Sequence, residues 1–211
     1  MLLEACADSL FQALLAEAGG AHRIELCSRL DLDGLSPDRG IILQALRQLK
    51  IPVKIMIRPR EGDFIFSEEE IQEMEREIHW CKKAGVREIV TGASLPSGAL
   101  DIATLRRLAS AAEPMTVTIH KAIDLSPDPL AELESLRPIA NITHILTSGK
   151  QATALEGAPL LREMIRAAGD RFVILVAGKV TWENLEEVGK ATGAREYHGK
   201  RIVKSLTFEV K

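Results

Sequence analysis

The sequence lacks the long apolar runs and the excess of basic residues that would direct it to a membrane or to nucleic acid. No apolar run approaches the roughly 18 residues of a membrane-spanning helix. The first residues show no basic region followed by an apolar stretch of signal-peptide length. The 27 lysines and arginines are outnumbered by 30 acidic residues, which gives a formal net charge of −3. We therefore predict a cytoplasmic protein that has neither nucleic acid nor a membrane as a partner.

Cysteine is also scarce, because the chain has only Cys6, Cys27 and Cys81. Three cysteines form no framework of spaced pairs, and an odd number in a chain without an export signal indicates reduced thiols. A linker rich in glycine, serine or proline is absent as well, and 46% hydrophobic residues are ample for a core. We therefore predict a single domain over residues 1–211.

Short runs with strand character alternate with helical stretches along the whole chain. Alternation of this kind predicts a parallel sheet, which is either open and doubly wound or closed. Eight runs favour a closed TIM-type (β/α)8 barrel. Only 13 residues follow His198, so the last helix is predicted to be missing or shortened, and the exposed flank predicts a homo-oligomer such as a dimer. The predicted strands are Leu2–Cys6, His22–Cys27, Val53–Arg58, Glu88–Gly92, Thr116–His120, His144–Ser148, Phe172–Ala177 and Arg195–His198.

The strand residues predicted to face the inside of the barrel are unusually polar. Alternate residues such as Ile24, Ile55 and Val117 are apolar and are predicted to face the helices. A buried charge costs several kcal/mol unless it is paired, so the inward set predicts either a ligand site or a self-paired network. For the lower residues we favour the network, with Glu25 paired to Lys54 and Glu196 paired to Arg23. The inward set is Glu4, Cys6, Arg23, Glu25, Cys27, Lys54, Met56, Arg58, Thr116, Thr118, His120, Glu196 and His198.

The C-terminal ends of the strands carry groups that predict an anion-binding rim, because barrel enzymes place their chemistry at that end. Two arginines flank Pro59 where the third strand ends, and paired guanidiniums indicate an anion site, although solvated loop charges are the alternative. Small-residue loops after the sixth and seventh strands are similar to loops whose amides hold a phosphate or another anion. The predicted anion-binding residues are Arg58, Arg60, Ser148, Gly149, Gly178, Lys179 and His198.

Two kinds of chemistry could use this rim. In an enzyme, His120 or Glu25 would move a proton, and Lys121 or Lys54 would supply an amine for a Schiff base. In a copper protein, Cys6 and Cys27 would hold one Cu(I), because both face inward at the ends of adjacent strands, and His198 would be a third ligand. The alternatives are that His120 is a core histidine and that the cysteines are small core residues. A non-catalytic anion-binding module is the third possible function.

Several motifs occur in the same order as in a known family, and together they resemble the CutC family, historically called copper homeostasis proteins. The resemblance runs from Leu2 to about Lys204 and implies a cytoplasmic TIM-type barrel, often multimeric, with a role in copper homeostasis and copper binding. Two motifs depart from the usual pattern. Ile-His-Lys-Ala-Ile-Asp replaces Phe-His-Arg-Ala-Phe-Asp, and Val-Ala-Gly-Lys replaces a Pro-Gly-Gly-Gly run, which brings Lys179 into the predicted anion loop. The motifs are Ile24–Cys27, Met56–Arg60 with Gly62–Phe64, Ile119–Asp124, Ile145–Gly149 and Glu196–Gly199.

Overall fold

The computed structural model describes residues 1–204 and is a closed barrel of eight parallel strands. The strands pair in chain order, and the last pairs with the first, so the sheet has no open edge. The predicted (β/α)8 barrel is confirmed. The strands are β1 (Leu2–Ala7), β2 (Arg23–Leu26), β3 (Val53–Met56), β4 (Glu88–Thr91), β5 (Thr116–Ile119), β6 (Ile142–Thr147), β7 (Val173–Val176) and β8 (Glu196–Gly199).

Seven α-helices connect the strands and surround the barrel. Their starts follow the expected capping chemistry, as at Ser67, whose hydroxyl accepts from the Glu70 N–H while the Glu70 carboxylate accepts from the Ser67 N–H. No helix of residues 1–204 is long and apolar enough to cross a membrane. The helices are α1 (Leu10–Ala18), α2 (Arg39–Gln48), α3 (Glu68–Lys83), α4 (Ile102–Ala112), α5 (Pro129–Leu136), α6 (Ala158–Ala168) and α7 (Leu185–Thr192).

In the described chain no helix follows β8, as predicted for a barrel with a missing or shortened last helix. The final part of that prediction falls on residues 205–211, which lie outside the described residues. Ile202 is fully buried, and Val203 packs on the core beside it. Residues after β8 therefore cover part of the barrel where an eighth helix would otherwise pack.

The outward faces of the strands form the main apolar core between barrel and helices. Ile24, Ile55, Ile89 and Val117 have side chains that are almost completely buried there. Each such side chain contributes about 1.5–3 kcal/mol relative to an exposed one. This alternation leaves the opposite faces, including the polar set, for the inside of the barrel.

The predicted self-paired network exists inside the barrel, but one of its two pairs is different. Arg23 Nη2 donates to Glu196 Oε2 over 2.6 Å, so that pair is confirmed. The pairing of Lys54 with Glu25 is wrong. Lys54 Nζ instead lies 3.1 Å from Glu4 Oε2 and donates to Thr118 Oγ1 over 2.8 Å. The reason is length, because the lysine side chain of β3 extends into the interior and reaches β1 and β5 rather than its neighbour on β2.

Candidate functional site

The C-terminal ends of the strands enclose a cavity of about 450 Å³. Residues that are far apart in the sequence meet here, because every strand of a parallel barrel ends at the same rim. Six of the predicted catalytic, metal and anion-binding residues line it, together with Lys200 and Asp124, which the sequence analysis did not single out. The polar lining consists of Cys6, Glu25, Asp33, Arg58, His120, Lys121, Asp124, His198 and Lys200.

Arg58 is buried in the wall of this cavity, and most of its donors are already used. Its guanidinium donates to the carbonyl oxygens of Leu32, Gly34 and Gly62, each over 3.0 Å, and stacks on the Phe64 ring. Arg58 thereby holds the loops after β2 and β3 together. Its Nε is buried without a hydrogen-bond partner among residues 1–204.

His120 is a neutral hydrogen-bond donor in this structure rather than a base. Burial and the nearby Arg58 charge lower the pKa of the imidazole to about 3. Nδ1 accepts from the Ala122 N–H over 3.1 Å, so the proton of the neutral ring is on Nε2. The ring fits only because residue 92 is glycine, since a Cβ there would lie 2.3 Å from His120 Cε1.

His198 lies between two buried carboxylates. Its Nδ1 is 2.8 Å from Glu4 Oε1, and its Nε2 is 4.0 Å from Glu25 Oε1. Burial by itself would lower the pKa of His198, but Glu25, Cys6 and Glu4 hold it well above the usual value. Burial raises the pKa of Glu25. This part of the cavity wall therefore keeps a proton close to a ligand at neutral pH.

Glu4 carries the negative charge on which this arrangement depends. Burial would raise its pKa, but Lys54, His198 and Arg23 hold the pKa well below the usual value. The carboxylate accepts from Arg23 Nε, and the strand register places Glu4 directly beside both Arg23 and His198. The fully buried Glu4 is thus an ionised anchor for three cationic groups.

Arg60, although only two residues from Arg58, does not line the cavity. Its guanidinium pairs with Glu70 over 2.5 Å and with Asp63 over 3.0 Å, and it packs on the Phe66 ring. The turn at Pro59 separates the two arginines, so one points into the barrel mouth and the other lies on the surface at the start of α3. The structure therefore separates Arg60 from Arg58 and His198, the predicted anion-binding residues that line the cavity.

The predicted anion loop after β6 is filled by a carboxylate of the chain itself. Asp124 accepts from the Ser148 N–H and hydroxyl, each over 3.0 Å, from the Lys150 N–H over 3.1 Å and from the Thr147 hydroxyl. Ser148 and Gly149 are buried and do not line the cavity. The motif Ile-His-Lys-Ala-Ile-Asp contains Asp124, so the signal was present, but its partner loop is 24 residues away in the sequence.

The loop after β7 is also outside the cavity. Gly178 has a φ of +101°, and a Cβ there would lie 2.8 Å from Ser148 Cβ and 2.9 Å from the Ala154 nitrogen. Residue 178 must therefore be glycine, because any larger side chain would collide with the neighbouring loop after β6. Lys179 is exposed, and its ammonium does not reach the cavity lining. These two predicted anion-binding residues lie apart from the rest of the site.

Four buried side-chain polar atoms of residues 1–204 have no hydrogen-bond partner: Glu25 Oε2, Arg58 Nε, His120 Nε2 and Ser94 Oγ. The first three belong to residues that line the same cavity. An unsatisfied buried polar group costs about 1–3 kcal/mol, so such groups are rare outside functional sites. Arg58, His120 and Glu25 thus bring two unpartnered donors and one unpartnered acceptor to the walls of one cavity.

Comparison with known proteins places the chain in a family. The sequence model of the CutC family matches residues 1–203. The chain belongs to the CutC family. A CutC family protein from Xanthomonas campestris pv. campestris strain 8004 is 41% identical over 198 residues, which cover 94% of this chain and 82% of that protein. A copper homeostasis protein cutC homolog from Homo sapiens is 40% identical over 197 residues, which cover 93% of this chain and 72% of that protein.

The barrel also matches a solved structure of a CutC family member. The crystal structure of a CutC copper homeostasis protein from Streptococcus agalactiae superposes with a TM-score of 0.91 at 28% sequence identity. The match covers 96% of this chain and all of that chain. The CutC resemblance of the motifs and the barrel fold are therefore both confirmed.

The copper in the names of CutC relatives raises the question of whether the two thiols fit a Cu(I) ion. Cys6 lies opposite Glu25 in the register of β1 and β2, not opposite Cys27. Cys27 Sγ donates to the Ala7 carbonyl over 3.6 Å, its side chain packs with Met56, and burial raises the pKa of its thiol. Of the two thiols in the predicted copper site, only Cys6 lines the cavity.

A different group of potential metal ligands does converge. One ligand atom each of Glu4, Glu25 and His198 lies within 4.8 Å of the others. However, Glu4 is already paired with Arg23 and Lys54, whose charges would repel a cation. These charges disfavour a cation between Glu4, Glu25 and His198.

Proposed function

We propose that this CutC family protein binds a small anionic metabolite in the barrel mouth and acts on it as an enzyme. The observation that carries the proposal is the set of three unpartnered buried atoms in one cavity. Arg58 Nε and His120 Nε2 would donate to ligand oxygens, and Glu25 would exchange a proton with the ligand. A structural cavity wall would not be expected to leave these groups unsatisfied.

The charges at the cavity opening support an anion as the ligand. Lys121 and Lys200 are exposed at its rim and form no ion pair within residues 1–204. They lie above the buried Arg58, so three cationic groups face the same space. Two lysines at an exposed rim attract an anion and raise its association rate.

Isothermal titration calorimetry with succinate and with inorganic phosphate tests this proposal. We expect binding to one site, and we expect the double variant Lys121→Met/Lys200→Met to bind about tenfold more weakly, since each rim charge contributes about 0.7 kcal/mol. Lys179→Met is the matched control, because Lys179 is exposed but outside the cavity. Absence of binding by both probes, or equal losses in control and double variant, would contradict the proposal.

Copper binding is the second candidate function. The observation in its favour is the Cys6 thiol, which is half-buried in the cavity beside His198, together with the copper homeostasis names of the relatives. Anaerobic Cu(I) titration of the chain tests it. If copper binds here, Cys6→Ser is expected to remove the tight site, while Cys27→Ser leaves it, because Cys27 lies outside the cavity. Equal affinity of Cys6→Ser and the wild-type chain would contradict this role.

We also propose a cytoplasmic location and a homodimer. All three cysteines are free thiols, which is usual in a reducing compartment. Phe11 of α1 and Trp182 before α7 are exposed to 66% and 42%. A second copy would cover such apolar side chains.

A further inference from the structure

Cys6 differs from the other two cysteines in its surroundings. Cys6 is half-buried and lines the cavity, whereas Cys27 and Cys81 are buried elsewhere. Burial raises the pKa of Cys81 to about 12 and raises that of Cys27 as well. Buried thiols of this kind are inert, so Cys6 is the one thiol of the chain that a ligand in the cavity can meet.

His198 is held by a carboxylate, as the histidine partner of a nucleophilic cysteine requires. Its Nδ1 is tied to Glu4 Oε1 over 2.8 Å, which leaves Nε2 for the cavity side. Cys6 is two residues further along β1 than Glu4, so it lies on the same strand face, and it lines the cavity together with His198. Glu4 in turn is fixed by Arg23 and Lys54. Nucleophile, histidine and orienting carboxylate thus come from two adjacent strands.

The opposite wall of the cavity supplies groups that an acyl substrate needs. Arg58 Nε–H and His120 Nε2–H are buried donors without partners within residues 1–204. Donors of this kind stabilise the negative charge that develops on a carbonyl oxygen when a nucleophile adds to it. Glu25 Oε2 is the unpartnered acceptor in the same cavity, and it suits activation of a water molecule.

We propose that Cys6, His198 and Glu4 form a nucleophilic triad for acyl transfer from a small anionic ester, thioester or amide. This inference rests on the proposed function, because the rim cations would select the anionic substrate. Cys6 and His198 would be catalytic residues. Glu4 would be a positioning residue that acts through His198.

Each bond change in this reaction has a group to receive its proton. The Cys6 thiol gives its proton to solvent, and the sulfur forms a bond to the carbonyl carbon while the π electron pair moves to oxygen. When the carbonyl re-forms, the bond to the leaving group breaks, and the protonated His198 gives its proton to that group. Water then attacks the thioester, its proton passes to His198 directly or through Glu25, and the released sulfur takes a proton from solvent. Water is the only co-reactant.

The test uses the full-length chain after treatment with a chelator and the para-nitrophenyl monoester of succinate as the probe. We expect release of nitrophenol together with one succinyl group on Cys6, located by peptide mass spectrometry. His198→Gln is expected to slow acylation about 100-fold or more, whereas the exposed-histidine control His79→Gln leaves the rate unchanged. Glu4→Gln is expected to lose most of the rate, and Glu4→Asp, which keeps a carboxylate, is expected to restore part of it.

A second measurement on the wild-type chain alone does not depend on the folding of any variant. Alkylation by iodoacetamide is expected to modify Cys6 at least about tenfold faster than Cys27 or Cys81. Equal reactivity of the three thiols would overturn the inference, as would an acylation rate that is unchanged in His198→Gln.

Calorimetry separates failure of this inference from failure of the proposed function. If succinate binds equally to the wild-type chain and to Cys6→Ser but no acyl group appears on Cys6, the triad is wrong and anion binding stands. If succinate and phosphate do not bind and Cys6 is not acylated, both proposals fall.

Discussion

Replacement of Glu4 by glutamine is expected to lower the free energy of unfolding by about 3–5 kcal/mol, the cost of removing one partner from a buried ionic network. Glutamine has the same shape, so the change removes charge and little packing. Arg23, Lys54 and His198 would remain in the barrel interior without the carboxylate that they share. Urea denaturation of the wild-type chain and the variant at neutral pH measures the difference.

Glu186→Gln is the matched control for this prediction. Glu186 pairs with Lys190 on the surface of α7, where the two side chains are 83% and 76% exposed. An exposed pair contributes little, so the control should change stability by less than about 0.5 kcal/mol. If Glu4→Gln were as mild as Glu186→Gln, the network would not contribute to stability as argued.

The effect of Glu4→Gln should also depend on pH. The folded protein holds the pKa of Glu4 well below the ordinary value of 4.5. The stabilisation by its charge is therefore fully present above that value and is lost as the pH falls through the folded-state pKa. The stability difference between the wild-type chain and the variant should therefore shrink in acid.

Replacement of Arg58 by methionine is expected to lower the free energy of unfolding by about 3 kcal/mol or more, because hydrogen bonds to a charged group contribute about 1.5–3 kcal/mol each. The change leaves three loop carbonyls, at Leu32, Gly34 and Gly62, without their donor. We expect the backbone amides of residues 29–35 to lose protection first, which hydrogen exchange measures. Thermal unfolding gives the overall loss.

Arg60→Met provides a comparison at almost the same place in the chain. Its side chain is 36% exposed, and its partners Asp63 and Glu70 are on the surface. We expect a loss of about 1 kcal/mol or less and no change in the exchange of residues 29–35. If the two variants behaved alike, the assignment of different roles to these arginines would be wrong.

The strands and the barrel could be predicted from local patterns. Alternating residues such as Ile55 and Lys54 mark opposite faces of a strand, and the repeated order of strand and helix leaves few topologies. The position of Cys6, Arg58, His120 and His198 at one end also followed, because parallel strands must all end at the same rim. Glu25 was predicted among the lower residues and Cys27 at the rim, but Glu25 lines the cavity and Cys27 does not.

The wrong predictions concern side chains whose orientation and partners depend on distant parts of the chain. In the sequence, Arg58 and Arg60 are two like residues on either side of a proline. In the structure, Arg58 is bound by loop carbonyls, whereas Arg60 is bound by an acidic residue of α3. The sequence predicts that the backbone amides of the loop at Ser148 are free to bind an anion. In the structure, the Asp124 carboxylate accepts their hydrogen bonds instead. By sequence, the Lys54 ammonium could pair with any of several carboxylates. In the structure it pairs with Glu4.

By itself, the sequence determined the alternation of strands and helices, the closed barrel, the membership of the CutC family and the polar character of the barrel interior. These properties depend on periodicity and on neighbouring residues, which are local. Only the tertiary structure decided which polar groups pair with each other and which remain open to a ligand. Pairing depends on side-chain reach and register across the barrel. The paired groups then keep Glu4 and His198 charged in spite of burial, whereas burial keeps His120 neutral, and no local pattern specifies either outcome.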